Sequence, residues 1–170
     1  AAAQSNLGFA LCLLNRPAEG LVHFDRAIAL RPDYAEAHNN RAHALFALRK
    51  PEEALASANR ALALKPDYSE AQRNRANALA AIEQSVQKYD EVLALDPGQV
   101  EMHYNRGNLL IALKRFDDAI ASFDQALKLK PDHVKAHNNR GASLIETQRF
   151  EEAIAAFDAA LALNPNSAAA

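Results

Sequence analysis

A dipeptide ending in proline recurs along the chain at a nearly constant interval. It closes five Ala/Leu-rich stretches, at Arg31-Pro32, Lys65-Pro66, Asp96-Pro97, Lys130-Pro131 and Asn164-Pro165. The successive prolines are 34, 31, 34 and 34 residues apart. Because proline cannot continue a helix, each stretch is predicted to be a helix that ends at its proline. Self-similarity with a period of this length indicates a fold of stacked repeats.

Each interval has room for a second helix. The first helices are clearest over 37–48, 102–113 and 136–145, and the second helices begin near Pro17, Pro51, Asp117 and Glu151, where proline or an acidic residue suits a first turn. We expect Asp33, Asp67 and Asp132 to cap first helices, with Glu36 and Glu70 completing two capping boxes. The repeats are therefore 1–34, 35–68, 69–99, 100–133 and 134–167, and 168–170 would open a sixth.

Certain positions of the repeat keep the same kind of residue. Position 8 is small in every repeat, as Gly8, Ala42, Ala76, Gly107 and Gly141. Position 20 is also small, as Gly20, Ala54, Ser85, Ala119 and Ala153. Position 24 is aromatic in Phe24, Tyr89, Phe123 and Phe157 and departs to Ala58, while position 27 is alanine in Ala27, Ala61, Ala126 and Ala160 and departs to Val92. This pattern resembles the tetratricopeptide repeat over the whole chain. The resemblance implies an all-α, right-handed α-solenoid of about five stacked helical hairpins in a single array.

The third repeat is three residues short, at the turn between Leu79 and Tyr89. Apolar residues there follow helical 3,4,3,4 spacing, at Leu79, Ile82, Val86, Tyr89 and Leu93. Taken alone, this spacing predicts one unbroken helix. Such a helix would uncover apolar faces on the neighbouring repeats, so we expect a folded-back hairpin shortened between Ile82 and Val86.

Composition narrows the classes of partner. With 19 Lys and Arg against 21 Asp and Glu, the chain lacks the positive charge of a nucleic-acid binder. No apolar run approaches the roughly 20 residues that cross a bilayer. We therefore expect neither nucleic acid nor membrane as a partner, and the cytoplasm by default. The repeats show no polar terminal helix, so either further chain or self-association through uncapped ends is expected.

Asparagine occupies position 6 of every repeat, at Asn6, Asn40, Asn74, Asn105 and Asn139. Winding the first helix at about 100° per residue places positions 2, 5, 6, 9, 12 and 13 on one face. In the tetratricopeptide family this face lines the groove that accepts peptides, and a similar asparagine ladder lines the superhelix of O-GlcNAc transferases. An amide offers a donor and an acceptor to a peptide backbone. The alternative is that these amides bond to neighbouring helices and stabilise the stack.

Positions 5 and 9 complete the candidate peptide-binding face. They contribute Asn39, Arg73, Tyr104 and Asn138 at position 5, and His43, Asn77 and Asn108 at position 9. Position 5 carries no lysine, which argues against a clamp for a terminal carboxylate of the kind found in some chaperone-binding relatives.

Other recurring polar residues have a structural interpretation. Position 7 is arginine in Arg41, Arg75, Arg106 and Arg140, and position 25 is acidic in Asp25, Asp90, Asp124 and Asp158, so we expect Arg–Asp pairs between stacked helices. Position 4 holds His38, His103 and His137, which lie on different helices without a ligand cluster beside them. Cys12 is a lone thiol, and no catalytic spacing is visible. No catalytic residue, metal or cofactor is therefore predicted.

These observations predict a non-enzymatic scaffold that binds an extended peptide or partner segment in a concave groove. Two alternatives stay open at this point. One is the substrate-recruiting arm of a larger enzyme, such as a glycosyltransferase resembling the O-GlcNAc transferases. The other is a structural module that assembles end to end.

Overall fold

The computed structural model describes residues 1–164, which form nine α-helices and no β-strand. The helices are α1 (Ala2–Leu13), α2 (Pro17–Leu30), α3 (Ala35–Ala47), α4 (Pro51–Leu64), α5 (Ser69–Leu95), α6 (Val100–Ala112), α7 (Phe116–Leu129), α8 (Val134–Glu146) and α9 (Phe150–Leu163). The predicted all-α helical repeat fold is confirmed. Residues 168–170, predicted to open a sixth repeat, lie outside the described residues.

Four helical hairpins share one kind of turn. The residue at position 15 has a positive φ in each of them: 58° at Asn15, 61° at Arg49, 58° at Lys114 and 59° at Gln148. The N–H of the next residue donates to the carbonyl five residues earlier, as from Arg16 to Leu11 at 2.9 Å and from Lys50 to Leu45 at 3.0 Å. A left-handed residue followed by this hydrogen bond ends an α-helix and satisfies one of its last carbonyls. Position 15 therefore separates the first helix of the hairpin from the second.

The third repeat lacks this turn, and the expectation of a folded-back hairpin is wrong. Helix α5 runs without interruption through 27 residues. When positions are counted forward from Ser69 as position 1, Ile82 is position 14. When they are counted back from Pro97 as position 32, Glu83 is position 18. The missing residues are thus positions 15 to 17, which include the left-handed one. Because neither glycine nor proline stands between Ile82 and Val86, nothing there ends the helix.

The chain forms two compact units, Ala1–Ile82 and Glu83–Ala170. The first unit contains α1 to α4 and the first half of α5. The second contains the rest of α5 and α6 to α9. Within the first unit, α3 packs against both α2 and α4; within the second, α8 packs against both α7 and α9.

Inside the hairpins, the residue at position 24 packs on the backbone at position 8. A methyl group added to Gly107 would lie 2.5 Å from Phe123 Cε1, and one added to Gly8 would lie 2.8 Å from Phe24 Cε1. In the second repeat both positions hold alanine, Ala42 and Ala58, and both are fully buried. Glycine is thus paired with phenylalanine and alanine with alanine, which keeps the helices close in each case.

The expected aspartate caps of α3 and α8 are wrong. Helix α3 begins after Tyr34, which makes no side-chain cap, and α8 begins after His133, whose Nδ1 accepts a hydrogen bond from the Ala136 N–H at 3.2 Å. The aspartate lies one residue too early, inside a turn closed by the Tyr34 N–H and the Arg31 carbonyl at 3.2 Å. The same turn recurs between His133 and Lys130.

The close approach at position 8 predicts that Gly107→Ala destabilises the chain by about 1–3 kcal/mol, because the added methyl meets the Phe123 ring. Gly98→Ala is the control, since its nearest contact would be Asp96 Oδ1 at 3.3 Å in an exposed turn. Chemical unfolding followed by circular dichroism gives both values. If Gly107→Ala unfolds at the wild-type midpoint, the packing of phenylalanine on glycine does not limit helix approach.

Candidate functional site

In the first unit, amide side chains of neighbouring first helices bond to one another. Asn74 Nδ2 on α5 donates to Asn39 Oδ1 on α3 at 2.9 Å. Asn39 Nδ2 in turn lies 3.4 Å from Asn40 Oδ1 and 3.4 Å from Glu70 Oε2. Asn39 is only 4% exposed, so it holds Asn74 in place from inside the stack. Asn74 and Asn40 are half-buried, whereas Asn6 on α1 is exposed.

Two residues that sequence analysis did not assign to this cluster, Tyr68 and Glu70, belong to it. Burial is the main cause that raises the pKa of Tyr68 to about 12, and the negative charge and hydrogen bond of Glu70 add to it. The phenol therefore stays protonated at neutral pH. Glu70 occupies position 2 of its repeat, which sequence analysis had placed on the candidate face. Its place in the cluster could therefore have been predicted from its position. The other predicted residues here, Arg73, Asn77 and His43, are exposed.

The second unit contains a matching cluster. Asn139 Nδ2 on α8 donates to Asn108 Oδ1 on α6 at 2.7 Å and lies 3.4 Å from the Tyr104 hydroxyl. The Tyr104 ring packs against His133, with ring centroids 4.8 Å apart. Asn105 on α6 is exposed. The buried Oδ1 of Asn138 has no hydrogen-bond partner among residues 1–164.

The amides at position 6 therefore divide into two kinds. Asn74 and Asn139 bond to the preceding first helix, as the alternative interpretation of the asparagines supposed. Asn6 and Asn105 are exposed and make no side-chain hydrogen bond within the described chain. Each unit thus contains at least one uncommitted amide at position 6 and one bonded amide cluster.

The expected Arg–Asp pairs are confirmed. Arg Nε donates to Asp Oδ1 at 2.6–2.7 Å in three pairs, Arg41–Asp25, Arg106–Asp90 and Arg140–Asp124. Where position 25 is Asn59, Arg75 Nε donates to its amide oxygen at 3.0 Å. Each pair joins the second helix of one repeat to the first helix of the next, so it fixes the stacking of successive repeats.

The histidines at position 4 also link successive repeats. The Nε2 atoms of His38, His103 and His137 lie 2.9–3.0 Å from the carbonyl oxygens of Pro32, Pro97 and Pro131, respectively. Gln72 makes the same bond to Pro66 at 3.0 Å. Within residues 1–164 no group of three histidine, cysteine or acidic side chains is placed to hold a metal ion. Burial raises the pKa of the Cys12 thiol, which disfavours the reactive thiolate.

Among the described helices, none combines the length and the apolar character that a membrane span needs.

Comparisons with known proteins identify the repeat. Family models described as tetratricopeptide repeat match residues 1–31, 35–68, 67–132 and 104–168. No curated protein matches the chain.

Solved structures with a similar fold include YrrB, described as a TPR protein with an unusual peptide-binding site, at 20% identity over 98% of this chain and 87% of that one, with a TM-score of 0.49. TTC0263, a thermophilic TPR protein of Thermus thermophilus, is 24% identical over 98% and 92% of the two chains, with a TM-score of 0.47. MamA from Desulfovibrio magneticus is 18% identical over 98% and 96%, with a TM-score of 0.48.

The stacking role of the ion pairs predicts that Asp124→Ala lowers the free energy of unfolding by about 1 kcal/mol, because Arg140, only 20% exposed, loses the nearer of its two carboxylate partners and keeps only Glu152 Oε2 at 3.9 Å. Asp158→Ala is the matched control: it occupies the same position of the fifth repeat and makes no ion pair with any residue up to 164. Chemical unfolding of both variants supplies the comparison. Equal stability of Asp124→Ala and wild type would show that the Arg140–Asp124 pair does not stabilise the stacking of repeats.

Proposed function

Because the chain belongs to the tetratricopeptide repeat family, we propose that it is a scaffold that binds extended segments of a partner protein along its first-helix faces. The observation that carries this proposal is the asparagine at position 6 of all five repeats, exposed at Asn6 and Asn105. Asparagine is a mediocre helix former, and at Asn6 and Asn105 no hydrogen bond within the described chain explains its presence.

The chemistry of an amide suits recognition of a peptide backbone. Its oxygen accepts from a backbone N–H, and its NH₂ group donates to a backbone carbonyl. Asn6 and Asn105 have both groups uncommitted within the described chain. The bonds that hold Asn74 and Asn139 orient their amides in advance, which reduces the entropy lost when a ligand binds.

The expected affinity is modest and tolerant of ligand sequence. A neutral hydrogen bond contributes about 0.5–1.5 kcal/mol, so a few amides favour weak binding of many segments. On the first unit, the half-exposed Phe9 and Phe46 add apolar contacts. The exposed Arg73 on the same unit favours ligands that carry an acidic side chain.

Peptide selection followed by calorimetry tests the proposal. A random library of linear peptides displayed on phage is selected against the wild-type chain, and each enriched peptide is titrated into wild type, Asn6→Ala and Asn105→Ala. We expect Asn6→Ala to weaken ligands of the first unit and Asn105→Ala those of the second, each by about 2- to 10-fold. Gln125→Ala, which removes an exposed amide from second helix α7, serves as the control and is expected to bind like wild type.

The variants should melt at or slightly above the wild-type temperature, because both asparagines are exposed and unbonded within the described chain and alanine is the better helix former. The proposal fails if no peptide is enriched. It also fails if the enriched peptides bind Asn6→Ala and Asn105→Ala as tightly as wild type.

A further inference from the structure

One side of helix α1 lacks the cover that the same side of α3 has. On α3, positions 3 and 10 are Ala37 and Ala44, and both are fully buried where α2 packs against the helix. On α1 the same two positions are Ala3 and Ala10, and both are exposed. The side of α1 that would contact a preceding second helix is therefore open in the described chain.

The open side of α1 is apolar along its whole length. It also carries Leu7, which is 47% exposed, and Leu14, which is 68% exposed. The Leu14 N–H donates to the Ala10 carbonyl at 3.1 Å, so Leu14 still follows the helix. At about 100° per residue, the four side chains lie within roughly 60° of one another around the helix, and their 4,3,4 spacing is typical of a helix–helix seam. They are called the α1 stripe: Ala3, Leu7, Ala10 and Leu14.

Leu7 replaces the arginine that joins successive repeats. In the other four repeats, the arginine at position 7 bonds to the residue at position 25 of the preceding repeat, as Arg41 does to Asp25 at 2.7 Å. If another copy stacked head to tail on α1, its position 25, Asp158, would lie against Leu7 and lose water without gaining an arginine. The α1 stripe therefore suits an apolar surface and not the acidic end of another copy of the array.

The α1 stripe is complementary to itself in an antiparallel pair. When Ala3 of one copy faces Leu14 of the other, Leu7 faces Ala10, because both pairs of residues have the same midpoint along the helix. One two-fold axis therefore generates all four contacts, and contacts of this kind give closed dimers. Each leucine faces an alanine in this register, and an alternation of large and small residues allows two helices to interdigitate.

The absence of charge on α1 also favours this pairing. The helix contains no acidic or basic residue from Ala2 to Leu13. Two α1 helices can therefore approach each other without repulsion between like charges, and their contact buries no charged side chain of α1. The antiparallel arrangement also places the N-terminus of each helix beside the C-terminus of the other, which is favourable for the helix dipoles.

We propose that two copies of this chain associate through their α1 stripes as a symmetric, antiparallel pair of helices. The occupant is a second copy because the surface that the stripe requires, uncharged and with alanine opposite leucine, is the stripe itself. The dimer buries the side of α1 that corresponds to the side of α3 covered by α2. Because each copy contributes only two leucines and two alanines, the interface is small, and we expect a dissociation constant on the order of 10–100 μM.

Sedimentation equilibrium over about 5–500 μM tests the proposal on the 170-residue chain. We expect the mass to rise from the 18.5 kDa of one chain toward twice that value and no further. Leu7→Glu should raise the dissociation constant at least about tenfold, because the dimer would bury two carboxylates without partners. Leu129→Glu is the matched control, since Leu129 on α7 is 46% exposed, and this variant should dimerise like wild type. Circular dichroism verifies that both variants remain helical.

Disulfide formation tests the antiparallel register. In a Cys12→Ser background, an equimolar mixture of Ala3→Cys and Leu14→Cys should give a cross-linked dimer on oxidation, because these two positions face each other across the pair. Ala3→Cys alone should not cross-link. Its thiol would face residue 14 of the other copy, and the second thiol would lie 11 residues farther along that helix, at a distance of about 16 Å.

Four results would overturn the proposal. A wild-type chain that stays monomeric throughout the concentration range does so, as would occur if the α1 stripe bound only a foreign helix. A mass that rises above two chains does so because a closed pair cannot extend. Dimers of Leu7→Glu as tight as those of wild type would use another surface. Cross-linking of Ala3→Cys alone, without cross-linking of the mixture, would mean that the two α1 helices lie parallel.

Discussion

The left-handed conformation at position 15 determines how each repeat of this chain folds. For a residue other than glycine this conformation costs about 1–2 kcal/mol. The hydrogen bond from the next N–H to the carbonyl five residues earlier, and the burial of the second helix against the first, offset that cost at Asn15, Arg49, Lys114 and Gln148. Where the position is missing, as between Ile82 and Glu83, the backbone hydrogen bonds of a longer helix replace those of the turn.

Once the hairpins form, two kinds of contact arrange them. Inside a hairpin, the residue sizes at positions 8 and 24 set how closely the helices approach, as at Gly107 and Phe123. Between hairpins, the Arg–Asp pair and the histidine bond to the proline carbonyl join one repeat to the next. Within each unit, these contacts fix the arrangement of the successive first helices that carry the asparagines of position 6. The binding proposal depends on this repeated presentation.

The features that depend on the repeat period were predictable from the sequence. The recurring prolines and small residues predicted the helices. Arg41 and Asp25 were expected to pair because opposite charges recur at position 25 of one repeat and position 7 of the next. Short-range geometry was harder to predict. Asp33 was expected as a cap but lies within a turn one residue earlier, and the hairpin expected in the third repeat is a helix because its turn residues are missing. The pairing of Asn74 with Asn39 depends on side-chain rotamers, which no spacing pattern specifies.

The continuity of α5 is the central claim, and hydrogen exchange of the backbone N–H groups at its middle tests it most directly. In an unbroken helix the N–H groups of Glu83, Gln84 and Ser85 each donate to the carbonyl four residues earlier, so we expect them to be protected from exchange as the neighbouring residues of α5 are. Exchange at these residues as fast as in an unfolded chain would mean that a turn interrupts α5 and would contradict the account.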